Sequence, residues 1–256
     1  MKGSAVRQPR PVTAQPAKAT TVEEPRRNEF VEWIKSLGIA VALFLVIRTF
    51  LIQAYTIPSG SMEETLLIGD YLMANNAIYG ARVPFTDFHI PAIREPRHGD
   101  IVVFRPDYND PVIDVVKRLV GEPGDTIQMI DRVVYRNGEA LEESYLEPTY
   151  LPDEPLHVGG VPVSWHSRFL PSSVDASDYR PTRDNWGPLI VPEHQYMLLG
   201  DNRDQSLDSR YMGFIPREVI RGKAMFIYFS VNKEIFSPFP RFITAARWNR
   251  IGDVIR

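Results

Sequence analysis

From Trp33 to Ile52 the chain carries a stretch whose centre, Leu37 to Ile47, holds no charge at all. Such a run needs an apolar medium, and three are open to it. A buried core helix would show one apolar stripe and a polar face, but this run is apolar on every side. A cleaved secretory signal suits the run's length, yet the segment before it is too long, and no small-x-small site separates it from Ser59-Gly-Ser61. A transmembrane helix over these residues would be about 30 Å long, enough for the hydrocarbon core. The sequence therefore predicts an anchor at 33–53, with Arg48 near one end, where its side chain can snorkel. Lys2, Arg7, Arg10, Lys18, Arg26, Arg27 and Lys35 all precede the apolar run. The N-terminal side is expected to be cytoplasmic and the body from Tyr55 onward extracytoplasmic, on a single-pass protein of the plasma (inner) membrane. Residues 1–32, with Pro9, Pro11, Pro16 and Pro25, read as a disordered tail, because they offer little apolar surface to offset ordering.

The body reads as β. Tyr71–Ala74, Asp100–Phe104, Val112–Val120, Thr126–Ile130, Val133–Tyr135, Tyr196–Leu199 and Lys223–Ser230 are short runs rich in β-prone residues, divided by Gly, Pro, Asn and Asp. Arg136-Asn-Gly-Glu139 predicts a tight hairpin, since Asn-Gly supplies positive φ at both central positions. From 139 to 193 proline, serine and exposed charge dominate, which predicts an inserted subdomain on loops. The core is then 54–138 with 194–256. There is no cysteine, so disulfides, thiolate metal sites and cysteine nucleophiles are excluded. His89, His98, His157, His166 and His194 never fall at ligand spacing, and no metal or cofactor is expected. A net charge of -3 gives no field for nucleic acid.

Three segments carry candidate chemistry. Ile57-Pro-Ser-Gly-Ser-Met62 is a corner that can expose a hydroxyl and leave amides free, and it is also ordinary turn chemistry. Lys117 lies in a β-prone run between Val115-Val116 and Leu119-Val120. There its ammonium would be partly desolvated and its pKa lowered, as a lysine base requires; a solvent-facing lysine at a strand edge is the other reading. Leu199 to Phe214 packs turn formers, hydroxyls and paired charges after an apolar strand, which suits a positioning loop or a solvated turn.

Together these segments resemble one family. Pro58-Ser-Gly-Ser-Met62, Gly69-Asp-Tyr-Leu-Met73, Gly99-Asp-Ile-Val-Val-Phe104, Lys117-Arg-Leu-Val-Gly-Glu-Pro-Gly-Asp125 and Gly200-Asp-Asn-Arg-Asp-Gln-Ser-Leu-Asp-Ser-Arg210 are similar in order and spacing to the boxes of bacterial type I signal peptidases. The anchor and the Trp248-Asn-Arg-Ile-Gly252 ending fit the same pattern.

The resemblance implies a mainly β fold: an antiparallel, barrel-like catalytic core with an inserted subdomain, behind one N-terminal transmembrane helix. It implies a Ser–Lys endopeptidase that cuts signal peptides from exported preproteins after small-x-small sites. Ser61 would be the nucleophile and Lys117 the general base. The Ser59 hydroxyl and the Ser61 amide would form the oxyanion hole, and Ser206 would orient the lysine. Asp208 with Arg210, and Asp201 with Arg118, would be structural ion pairs. The peptide would lie extended between Tyr55–Pro58 and Asp114, Val115 and Val116. Ile57, Met62, Leu66, Leu72, Val103 and Val116 would line shallow pockets. Implied partners are signal peptides, membrane lipid and the protein-export machinery, with no nucleic acid. Two positions depart from the pattern: Glu64 stands where proline is common, and Glu122 where leucine is common. The competing readings are a related Ser–Lys peptidase dedicated to one substrate and a non-catalytic membrane-tethered β domain that binds exported chains.

Overall fold

The computed structural model describes residues 29–46, 52–80, 91–106, 113–146, 151–233, 235 and 244–256. Two compact units divide between Ala42 and Leu43.

The described part of the first unit is helical. Helix α1 spans Glu29–Val46, starting four residues before the expected anchor. Phe30, Trp33, Ile34, Leu37, Ile39 and Val41 are all exposed, and together they cover more than one face. A helix apolar all round is stable only within an apolar medium. Among the described residues, however, no helix is long and apolar enough to cross a membrane. Residues 47–51 lie outside the described set, as does the expected tail up to residue 28. The expected anchor end at 53 needs correction. Ile52 and Gln53 already pair with Asn75 and Ala74 in a sheet. Apolar content runs on from helix to strand, so composition alone hides the boundary.

The second unit is built on antiparallel sheets. Its strands are β1 (Ile52–Thr56), β2 (Asp70–Asn75), β3 (Ile101–Phe104), β4 (Val115–Gly121), β5 (Thr126–Ile130), β6 (Val133–Arg136), β7 (Glu139–Ala140), β8 (His157–Val158), β9 (Val161–Pro162), β10 (Trp186–Ile190), β11 (Gln195–Leu199), β12 (Ile215–Pro216) and β13 (Ile220–Ser230). A one-turn helix α2, Ser209–Met212, precedes β12. The main sheet runs β1-β2-β13-β3-β4-β11-β12. Its described strands leave β1 and β12 as edges, so the barrel-like core expected is an open half-barrel of antiparallel strands.

Burial explains the pairing. Strand β3 is buried on both faces: Ile101 and Val103 join one apolar cluster, while Val102 and Phe104 join another. Successive side chains of a strand point to opposite faces, so a continuous apolar run marks a strand covered on both. Strand β13 then lies between β2 and β3, bringing the last long strand into the middle of the sheet.

A second sheet, β10-β5-β6-β7, draws on both sides of residue 139. The hairpin at Asn137-Gly138 has φ of 54° and 86°, the positive values its sequence predicts. The 139–193 segment was expected on loops, yet it supplies β7 and β10 to this sheet as well as the β8–β9 ribbon. Gly187 and Pro188 make β10 look like a turn, and the strand is tolerated because it occupies the sheet edge.

Candidate active site

Just past β1 the chain turns a corner held by main-chain bonds from Ile57 N–H to Asp70 O (2.9 Å), Gly69 N–H to Ile57 O (3.0 Å) and Glu63 N–H to Gly60 O (3.0 Å). The 200–210 loop fixes the same corner from the other side, where Asn202 N–H donates to Ser61 O at 3.2 Å. Gly200 must be glycine here. A Cβ on it would fall 2.1 Å from Ser206 Oγ and 2.5 Å from Ser61 O.

Lys117, on β4, places Nζ 2.6 Å from Ser61 Oγ and 3.2 Å from Val116 O. It is 2% exposed, and among the described residues no carboxylate reaches it at ion-pair distance. Burial lowers its pKa from 10.5 to about 8, against the more distant raising influence of Asp208 and Asp201 and with help from Arg210. A serine hydroxyl beside a lysine that can lose its proton near neutrality has the arrangement that a nucleophile and its base require.

The surrounding charges are paired. Asp208 and Arg210 are both fully buried, with two contacts of 2.9 and 2.8 Å between them. Burial by itself would raise the Asp208 pKa, but the Arg210 charge and hydrogen bonds hold it below the usual carboxylate value. Asp208 also accepts from Gly200 N–H at 3.0 Å, tying the pair to the Ser61 corner. Arg118 meets Asp201 through two bonds of 2.8 and 2.7 Å, while Thr65 Oγ1 donates to the same carboxylate at 2.6 Å.

Ser206 lies at the same corner without a bond to the lysine. Its hydroxyl is buried, packs on Gly200 and makes no hydrogen bond, to Lys117 or to any other described group. It favours the charged form of Asp208, although its geometry falls short of a bond. Because a hydroxyl rotor carries no bond in this position, Ser206 is an available partner and not an engaged one.

A cleft of about 350 Å³ opens beside Ser61, lined by residues 54–59, Ser61, Met62 and 113–116. The two segments expected to flank a peptide are its two walls. Leu66, Leu72 and Val103 are not on its surface: all are fully buried, in one cluster with Ile57, Met62 and Val116. Tyr55 lines the cleft, its hydroxyl pKa pushed up to about 12 by burial and then by Asp114. Asp114 is bound by Arg105 at 2.9 and 2.8 Å. Arg105, Ala54 and Ile113 were not singled out from sequence, and Thr56 only as part of the Tyr55–Pro58 segment. Only the alternation of β1 hinted at the two that belong to it.

Both departures from the family pattern have local consequences. Glu64 sits at φ 81°, which a proline locked near −65° cannot adopt. Glu122 accepts from His98 N–H at 2.9 Å and from Arg136 at 3.1 Å, bonds no leucine could make.

A family model described as "Signal peptidase, peptidase S26" matches residues 30–229. A protein named signal peptidase I from Rickettsia typhi is 39% identical over 215 residues, covering 76% of this chain and 78% of its own length. One of the same name from Pseudomonas fluorescens is 36% identical, covering 83% of this chain and 77% of its own. A crystal structure of a signal peptidase I from Enterococcus faecalis V583 shares 31% identity over 51% of this chain and 97% of that one, at a TM-score of 0.34, too low to argue from.

Proposed function

The chain belongs to the signal peptidase I, peptidase S26, family and is a serine endopeptidase that processes signal peptides, and we propose that it does so with Ser61 as nucleophile and Lys117 as general base. The observation that carries this assignment is the 2.6 Å contact between Lys117 Nζ and Ser61 Oγ, in a setting that makes the lysine a base. With a pKa of about 8, roughly a tenth of the lysine is neutral at pH 7, against less than a thousandth for an ordinary lysine.

Neutral Lys117 takes the Ser61 proton as the oxygen attacks the scissile carbonyl. The ammonium so formed then protonates the departing amine, and the acyl group stays on Ser61. A water enters, loses a proton to the same nitrogen and releases the signal peptide's new carboxylate. The Ser61 N–H, which has no partner among the described residues, and the exposed Ser59 hydroxyl are the donors we assign to the developing oxyanion. Rotation of the Ser206 hydroxyl toward Nζ would hold the lysine in line for both transfers.

The substrate is a preprotein, read along the cleft as an added strand between 55–58 and 114–116. Met62, Ile57 and Val116 form its apolar walls, and Leu66, Leu72 and Val103 back them without touching solvent. Depth is therefore limited by a packed core, and only small side chains before the cut fit. We further propose that α1 and the apolar residues after it anchor the protein in the plasma membrane with the N-terminus cytoplasmic and the catalytic unit outside. The apolar, uncovered surface of α1 and the cations before it support this reading.

The test uses full-length protein in detergent with a preprotein carrying Ala-x-Ala before the cut, followed by mass spectrometry of the products. Ser61→Ala and Lys117→Ala are each expected to lose about 10³-fold or more in rate while folding normally. Replacing the last alanine of the substrate by a large residue should block the wild type. Cleavage by Lys117→Ala near the wild-type rate would overturn the mechanism.

A further inference from the structure

One buried titratable group takes no part in the steps above. His166, in a short 3-10 turn at Trp165–Arg168 of the 139–193 segment, is completely buried. Its Nε2 lies 2.9 Å from Arg210 O, and its Nδ1 lies 2.8 Å from the Tyr179 hydroxyl. The proton positions follow from chemistry. A carbonyl can only accept, so Nε2 carries the hydrogen and donates to Arg210. The neutral ring then leaves Nδ1 as acceptor for the Tyr179 O–H. That hydroxyl in turn accepts from Gly187 N–H at 2.8 Å, so its own proton is directed at His166. The ring is wedged by Trp165 at 4.3 Å between centroids and by Trp186 at 6.3 Å. One tautomer and one orientation are thus selected by groups that belong almost wholly to the inserted segment.

What the ring holds is the backbone of Arg210, a residue whose charge acts on Lys117. Arg210 forms the fully buried pair with Asp208 and donates to Arg203 O at 2.7 Å. Asp208 in turn accepts from Gly200, the residue whose Cα surface contacts Ser206 and the Ser61 carbonyl. Of the charges that act on Lys117, Asp208 and Asp201 favour its protonated form and Arg210 opposes it. The effect of Asp208 on the lysine is therefore set by how closely Arg210 covers it.

We propose that His166 is a positioning residue for the Ser61–Lys117 dyad, holding the Arg210 backbone so that the Arg210–Asp208 pair keeps its place beside the lysine. The inference rests on the dyad reading above. It also assigns the 139–193 segment a part in catalysis: through His166 and Tyr179 it completes the setting of the base. If Arg210 shifts, Asp208 is less covered and water gains access to the lysine. Both effects stabilise the ammonium and leave less neutral base.

The experiment compares full-length His166→Phe, His166→Gln and Tyr179→Phe with wild type in detergent, measuring kcat and KM for a signal-sequence peptide from pH 6 to 10, with circular dichroism to establish folding. Phenylalanine keeps the ring and removes the donor. His166→Phe is expected to lose about threefold in kcat at pH 7 with KM within about twofold, and its acid limb should move upward by about half a pH unit. Glutamine can still donate to Arg210 O, so His166→Gln should recover most of both. A purely structural histidine would lower stability without moving the limb, and a folded His166→Phe with the wild-type kcat and acid limb overturns the proposal. If His166→Phe does not fold, Tyr179→Phe, which removes only the hydroxyl that selects the tautomer, decides: a smaller shift in the same direction supports the proposal and an unmoved limb overturns it. Ser61→Ala and Lys117→Ala are run alongside. Cleavage by either near the wild-type rate sinks the dyad reading itself, whereas dyad variants slowed about 10³-fold or more with unaltered His166→Phe kinetics sink only the inference drawn from His166.

Discussion

Lys117 and Arg118 are neighbours on β4, both almost wholly buried, and they meet opposite fates. Arg118 is given a carboxylate. Its guanidinium makes two bonds to Asp201, donates to Arg256 O at 3.1 Å and lies 3.7 Å over the Tyr145 ring. Burial alone would lower its pKa, but Asp201 more than reverses that, and the group stays a fixed cation. Lys117 receives a serine hydroxyl and a backbone carbonyl instead. Desolvation outweighs the more distant Asp208 and Asp201, and its pKa falls to about 8. Strand geometry sends the two side chains to opposite faces, so one position can serve structure and the next chemistry. Burial makes a base only where the counter-ion is withheld. An arginine is also the right choice for the fixed role, since its pKa is too high to be brought into range by burial.

The contrast can be broken by exchanging the two roles. Lys117→Arg keeps a cation beside Ser61 but supplies one that cannot lose its proton. It should be as inactive as Lys117→Ala, a loss of about 10³-fold or more, in peptide cleavage at any pH up to 10. Appreciable activity would mean that positive charge, and not proton transfer, is what Ser61 needs.

Arg118→Ala tests the other side. It strands Asp201 in the interior, and removing one partner of a buried pair costs about 3–5 kcal/mol. Chemical denaturation should show that loss, and a change under about 1 kcal/mol would mean water reaches Asp201 freely.

The smallest effect is the most diagnostic. The folded pKa of Lys117 is depressed, so the unfolded chain holds more protons between about 8 and 10.5, and stability rises with pH across that window. Below it both states are protonated and the buried ammonium costs the folded state about 3 kcal/mol. Lys117→Met should therefore be more stable than wild type at pH 7, by up to that amount, with the gap closing toward pH 10.5. Parallel denaturation curves at pH 7 and 10 measure it. A gap that does not narrow would show that the lysine is not desolvated in the folded protein.

Much of the site was legible along the chain because it is written in contiguous strings. Pro58 to Met62 and Gly200 to Arg210 each hold the turn formers and functional groups they need within a few residues. Strands such as Asp70–Asn75 and Thr126–Ile130 were legible for a related reason: alternation of side chains is a local property. The end of the apolar helix was not. Ile52 and Gln53 are marked as strand by their pairing with β2, which lies about twenty residues on. Strand β10 escaped notice because Gly187 and Pro188 obey turn rules locally, while an edge position forgives both.

What the sequence by itself determined, then, was the set of candidate residues for the chemistry, since residue types and short spacings do not depend on the rest of the molecule. Tertiary structure alone decided what state those residues are in. Ser61 and Lys117 are 56 positions apart, and they meet because β1 and β4 are built into one sheet by β2, β13 and β3. The burial that lowers the lysine's pKa, the carboxylate given to Arg118 and denied to Lys117, and the packing of Gly200 against both Ser61 and Ser206 are all supplied by distant segments. Desolvation and charge act through space at a few ångströms, and closeness in space is what a linear order of residues does not record.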